Sequence, residues 1–124
     1  MTKRLLLIDD DEVVLQSLGR LLESQRYVVE RARNGMEALE KAQNQEFDLI
    51  ISDIRMPGMD GIEVLQRLRE INQERWRKAI PEILITGYSD ENAYLRALKL
   101  KVTDYLYKPF DVNEFLERIS RRLR

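Results

Sequence analysis

Five short apolar runs, each followed by a stretch with helical spacing, constrain this chain more than any other feature. The runs are Leu5-Leu6-Leu7-Ile8, Tyr27-Val28-Val29, Leu49-Ile50-Ile51, Ile83-Leu84-Ile85 and Tyr105-Leu106-Tyr107. They are largely continuous rather than alternating, the pattern of a parallel strand covered on both faces. After the first run, Val14, Leu18, Leu21 and Leu22 share a helical face. Asn34, with Glu37 as its capping-box partner, opens a second helix carrying Met36, Leu39 and Ala42. Asp60 with Glu63 opens a third, and Ser89 or Asp90 a fourth. Asp111 with Glu114 opens the last, which is expected to bury Val112, Phe115, Leu116, Ile119 and Leu123. Five strand-then-helix units in 124 residues predict an α/β layered fold around a parallel sheet, as one domain over residues 1–124.

Composition removes whole classes of chemistry. The chain has no cysteine and no histidine. That excludes disulfides, thiolate or imidazole metal sites, a Ser-His-Asp triad and a phosphohistidine carried by this chain. Acid–base or metal chemistry must use carboxylates, hydroxyls, Lys, Tyr and water, and oxygen ligands suit Mg²⁺, Mn²⁺ or Ca²⁺. With 21 basic against 22 acidic residues, no global field argues for nucleic acid or anionic lipid. No apolar run approaches the ~20 residues of a membrane span, and the amino-terminal run is too short for a signal peptide. The expected location is cytoplasmic, with no membrane partner and no direct nucleic-acid binding.

In a parallel α/β sheet, ligands bind outside the carboxyl ends of the strands. Asp9-Asp10-Asp11-Glu12 follows the first run, Asp53 the third, Thr86-Gly87 the fourth and Lys108-Pro109-Phe110 the fifth. All of these fall at one edge. Converging carboxylates repel one another unless a cation neutralises them. A hard divalent ion held by Asp10, Asp53 and a backbone carbonyl just after Asp53 would do so, with Lys108 as a second positive charge and Thr86 as a hydroxyl donor. Such an array suits a phosphoryl group on Asp53, because phosphoryl transfer needs mainly positioning and charge neutralisation.

These residues give the chain its resemblance. Leu-Ile-Asp9-Asp10-Asp11, Asp53-Ile-Arg-Met-Pro57-Gly-Met-Asp-Gly61, Ile-Thr86-Gly87 and Tyr105-Leu-Tyr-Lys108-Pro109-Phe110 resemble the receiver domain of two-component response regulators over essentially the whole chain. The resemblance implies a three-layer, flavodoxin-like (βα)5 fold with strand order 2-1-3-4-5. It implies that Asp10 ligates Mg²⁺ directly, Asp9 acts through a coordinated water, and Asp53 is both ligand and phosphoacceptor. The backbone carbonyl of Arg55 completes the ligands, and Thr86 and Lys108 bind the phosphoryl group. Tyr105 takes the switch-aromatic position, with Tyr107 as the alternate on the same strand face, and Asp11 is left as a helix amino-terminal acid.

The function so implied is a phosphoprotein switch that accepts phosphate from a histidine kinase or phosphotransfer protein. It would reshape the surface of the fourth helix, fifth strand and fifth helix, where a homodimer could also form, without turning over an external substrate. Arg55 and Tyr88 are large enough to obstruct an attacking water, which predicts a long-lived phosphorylated state. The competing enzyme reading is a haloacid-dehalogenase-like Mg²⁺ phosphatase, suggested by the Asp-x-Asp in Asp9-Asp10-Asp11. It lacks a late acidic pair and leaves Asp53 without a task. The segment Ile71 to Pro81 is longer than the receiver pattern. It reads as an extended third helix with Trp76 folded back, or else as a partner contact beside Arg75, Arg77 and Lys78. The basic end, Arg118 to Arg124, reads as a solvated helix face.

Overall fold

Strands and helices alternate along the chain as β1 (Arg4–Ile8), α1 (Glu12–Ser24), β2 (Val28–Ala32), α2 (Gly35–Asn44), β3 (Leu49–Asp53), α3 (Gly61–Ile71), β4 (Glu82–Thr86), α4 (Glu91–Leu100), β5 (Asp104–Tyr107) and α5 (Val112–Arg122). The computed structural model describes residues 2–87 and 91–124. The helix-opening residues Ser89 and Asp90, and Tyr88 before them, lie outside the described residues. The five strands form one parallel sheet in the order β2-β1-β3-β4-β5. This is the expected fold, and among the described residues no helix is long and apolar enough to cross a membrane.

Strand alternation divides the core into two layers. Leu6, Ile8, Ile50 and Leu84 face Ala38 and Ala42 of α2, Val64, Leu65 and Leu68 of α3, and Ala93 and Ala97 of α4. Leu5, Leu7, Leu49, Ile51, Ile83, Ile85 and Leu106 face Leu15 and Leu22 of α1 and Phe115 and Ile119 of α5. A side chain turned either way is therefore covered, which is why the strand runs are continuously apolar. Each Leu or Ile fully withdrawn from water contributes about 1.5–3 kcal/mol.

Helix starts follow the capping chemistry. Asp11 Oδ1 accepts from the Val13 and Val14 N–H groups, Asn34 Oδ1 from Glu37 N–H, Asp60 Oδ1 from Glu63 N–H, and Asp111 Oδ1 from the Asn113 and Glu114 N–H groups. The return half of the capping box is altered: Glu37 Oε1 takes the Arg33 N–H, while Glu114 pairs with Arg118 one turn on. The expected burial of Val112 is corrected, and Met36 of the second helix is exposed as well. Val112 is 49% exposed and Met36 70% exposed. Both lie in the first turn of their helix, and the core-facing rows of α2 and α5 begin further on, at Ala38 and Phe115. In α1 the fully buried contacts are Leu15, Gly19 and Leu22, with Val14, Leu18 and Leu21 at their margin.

The long 71–81 segment resolves towards the folded-back arrangement. A π-helical turn, Asn72–Trp76, extends α3. Trp76 Nε1 donates to the Ala42 carbonyl at 2.8 Å and Arg75 Nε to the Gln43 carbonyl at 2.7 Å. These are carbonyls near the end of α2, where helix acceptors lack internal partners. Lys78 pairs with Asp48 and Glu46. Three of the four groups that suggested a partner contact thus bind this chain's own backbone and carboxylates. In the basic end, Arg118 and Arg122 pair with Asp104, and Arg121 and Arg124 with Glu117.

Candidate functional site

Parity along the strands selects which side chains meet beyond the carboxyl edge. Asp9 continues the Leu5–Leu7 row, Asp53 the Leu49–Ile51 row, and Lys108 the row of Leu106; all three rows face α1 and α5. Thr86 and Tyr105 have the parity of Leu84, which faces α3 and α4. The Lys108 N–H donates to the Thr86 carbonyl at 2.6 Å, tying the end of β5 to the end of β4.

The three carboxylates converge. Asp9, Asp10 and Asp53 each present a carboxylate oxygen, and these atoms lie within 4.8 Å of one another. Asp9 is buried, Asp53 half-buried and Asp10 exposed. Lys108 Nζ stands 3.5 Å from Asp9 Oδ2 and 3.7 Å from Asp53 Oδ2, between the two rather than on either. The Asp11 N–H donates to Asp9 Oδ1 at 2.9 Å. Asp11 itself caps α1, as expected.

This arrangement leaves negative charge uncompensated. Burial pushes the Asp53 carboxyl up to about 6, the Asp9 charge adds to the rise, and Lys108 offsets only part of it. Asp9 is also raised, by burial first, against the lowering effects of the Asp11 N–H and Lys108. Three converging carboxylates, with one ammonium shared between two of them, form a site that fits a hard divalent cation. The backbone at Asp53 is packed tightly from behind. The Gly61 N–H donates to the Ile54 carbonyl at 2.8 Å, and a Cβ on Gly61 would collide with the Asp53 carbonyl oxygen. Gly58, at φ +79°, supplies the left-handed turn in the same loop.

The other anticipated residues lie around this cluster. Thr86 ends β4 and is buried, and its register partner is Tyr107. Arg55 is exposed in the loop two residues beyond Asp53. Tyr105 is half-buried, its ring edge-to-face with Tyr94 of α4 at 5.4 Å and with Tyr107 at 5.0 Å. One contact had no signal in the sequence: Arg96 of α4 reaches Asp60 with a two-pronged ion pair. Asp60 reads locally as a helix cap, which it is, and only the fold brings Arg96 to it.

Comparison with known proteins agrees with this geometry. A sequence model of the response regulator receiver domain matches residues 5–120. The transcriptional regulatory protein ResD of Bacillus subtilis is 35% identical over 98% of this chain and 48% of its own length. The transcriptional regulatory protein ZraR of Klebsiella oxytoca is 39% identical over 96% of this chain and 26% of its own. The chain thus spans about half or less of the length of these relatives. Among solved structures, the chemotaxis protein CheY4 of Vibrio cholerae superposes with a TM-score of 0.89 at 32% identity, over 99% of this chain and 100% of that one. A response regulator from Burkholderia pseudomallei, solved with a phosphorylated aspartic acid, calcium ion and citrate, gives a TM-score of 0.80 at 31% identity over 92% of this chain and 64% of that one. The chain belongs to the response regulator receiver domain family of two-component signalling.

Proposed function

We propose that the whole chain, residues 1–124, is one receiver domain that works as a phosphorylation-dependent switch with Asp53 as the phosphoacceptor. The observation that carries this reading is the cluster of three carboxylates, two of them sharing Lys108, with Asp53 raised to about 6. Response regulators interact with histidine kinases or phosphotransfer proteins, so the donor is a partner's phosphohistidine. This chain has no histidine of its own. An Asp53 carboxylate oxygen bonds to phosphorus as the phosphorus–nitrogen bond breaks, and the departing imidazole keeps the electron pair and takes up a proton. Reaction needs the ionised carboxylate, which the raised pKa disfavours until the surrounding charge is balanced.

Asp10 and Asp53, with the Arg55 carbonyl, would hold Mg²⁺ directly and Asp9 through a water. Mn²⁺ or Ca²⁺ could substitute in binding. The ion would supply charge neutralisation for the carboxylates and the transferred group. Lys108 lies where its ammonium can turn from the carboxylates to a phosphoryl oxygen. Thr86 offers a hydroxyl to another. Thr86 and Tyr105 share a strand-face parity, so movement of Thr86 towards the phosphoryl group frees space for the Tyr105 ring. That would reshape the surface of α4, β5 and α5, the face proposed to control output and homodimer formation. Receivers of this family act as switches rather than as enzymes with an external substrate, and the family match gives the dehalogenase-like reading no support.

Beryllium fluoride with Mg²⁺ tests the reading. Amide signals of Tyr105 are expected to shift in the wild type, and to shift neither without Mg²⁺ nor in Asp53→Asn. An unchanged response in Asp53→Asn would remove Asp53 as the acceptor.

A further inference from the structure

One contact beside the site is required neither by the phosphoryl chemistry nor by the sheet. Arg96, in the middle of α4, places Nη1 2.8 Å from Asp60 Oδ2 and Nη2 3.3 Å from Asp60 Oδ1. The same Oδ1 accepts the Glu63 N–H at 2.9 Å and so caps α3. Burial alone would raise the Asp60 carboxyl, but the Arg96 guanidinium and the Glu63 N–H more than offset it and hold it below its ordinary value. Asp60 is therefore ionised at neutral pH, and both bonds to Arg96 are charge-assisted.

The two ends of this pair are anchored to different parts of the fold. On the Asp60 side, the adjoining Gly61 lies against the backbone of Asp53 and Ile54, with no room for a side chain. That end is fixed to the acceptor. On the Arg96 side, α4 carries Tyr94 two residues earlier, whose ring packs edge-to-face on Tyr105. Between the ends lies an open cleft of about 470 Å³, walled by Ile54, Met56, Pro57 and Ala93. At this level the pair spans a gap between α4 and the acceptor loop. A bidentate pair across a gap defines a position that loose packing would not.

We propose that Arg96 is a positioning residue of the switch. Its pair with Asp60 holds α4, and with it the Tyr94–Tyr105 contact, in the unphosphorylated arrangement, and is lost or stretched in the phosphorylated one. The inference rests on the switch proposed above and adds what sets its resting balance. By linkage, a contact made only in the resting arrangement weakens the apparent affinity of any ligand that selects the other. Removing it must tighten that affinity. The pair is partly exposed, with side chains 41% and 30% accessible, so the expected gain is about two- to fivefold.

The test is a beryllium fluoride titration of the full chain with Mg²⁺, read from the Tyr105 amide signal, in wild type, Asp60→Asn, Arg96→Gln and the double variant. Asparagine caps helices as well as aspartate, so Asp60→Asn removes the pair and keeps the cap. Both single variants are expected to bind about two- to fivefold more tightly, the double variant no more tightly than either single, and added salt to narrow the gap from wild type. A pair with only a structural role lowers the melting temperature of the variants and leaves their affinity unchanged; unchanged or weaker affinity overturns the proposal. Arg96→Lys keeps the charge without the second prong and is expected to fall between wild type and Arg96→Gln, which guards against a variant that fails to fold. If wild type responds and the variants match it, the clamp alone falls. If wild type does not respond at all, the switch falls and the clamp with it.

Discussion

Glu82, at the amino edge of the sheet, is 2% exposed, and Asp9, at the carboxyl edge, is 3% exposed. Their surroundings are nevertheless opposite. Glu82 is gripped by Arg69 through two hydrogen bonds of 2.6 and 2.8 Å. Near it, Asp48 accepts the Arg4 N–H at 2.8 Å and pairs with Lys78 at 3.3 Å. These bonds more than offset its burial and hold its carboxyl below the ordinary value. At the carboxyl edge, Asp9 and Asp53 share Lys108 at 3.5 and 3.7 Å and both are raised. One fold therefore neutralises buried acids at one end of its strands and leaves them under-neutralised at the other. Stability alone would favour the first solution at both ends. The second makes sense where an incoming cation and a phosphoryl group are to complete the balance.

The largest test of this contrast is at the paired edge. Arg69→Met leaves Glu82 buried without its cation and is expected to cost about 3 kcal/mol in urea unfolding, because one partner of a buried pair is stranded. A loss below about 1 kcal/mol would place this pair among ordinary exposed ones and break the contrast.

At the under-neutralised carboxyl edge the sign reverses. The folded-state Asp53 value of about 6 lies above its ordinary 3.8. The native state therefore holds this proton more tightly than the unfolded chain does, and loses stability as pH climbs from about 4 through 6. Metal-free Asp53→Asn is accordingly expected to be more stable than wild type at pH 7 by about 1–3 kcal/mol, with the gain gone near pH 4. Unfolding curves at the two pH values decide it; a variant less stable than wild type at pH 7 removes the idea of uncompensated charge.

A smaller effect separates the edges by ligand. Mg²⁺ at ten times its own dissociation constant is expected to raise wild-type stability by about 1.4 kcal/mol, with a reduced shift in Asp53→Asn and an unreduced one in Arg69→Met. Equal shifts in wild type and Asp53→Asn would move the ion away from Asp53.

The strand and helix units were legible because their signals are local: continuous apolar runs, capping acids and an Asn at helix starts, and polar residues immediately after strands. The residues of the candidate site were legible for the same reason, since a parallel sheet brings every strand's carboxyl end to one edge. Burial within a helix was less so. Periodicity marked Val112 and Met36 as face residues, yet both stand in first turns and are exposed, while Phe115 and Ala38 one turn or less further on are buried. Trp76 carried no local sign of its partner, the Ala42 carbonyl.

The sequence by itself determined the alternation of elements, the absence of histidine and cysteine chemistry, and the set of residues delivered to the site. Tertiary structure decided how their charges are shared. It put Lys108 midway between Asp9 and Asp53, matched Glu82 to Arg69, and carried Arg96 to Asp60 across the cleft beside α4. The reason is one of range. Periodicity and capping act over a few residues along the chain, whereas burial and Coulomb interaction depend on distances in space that only the packed fold sets.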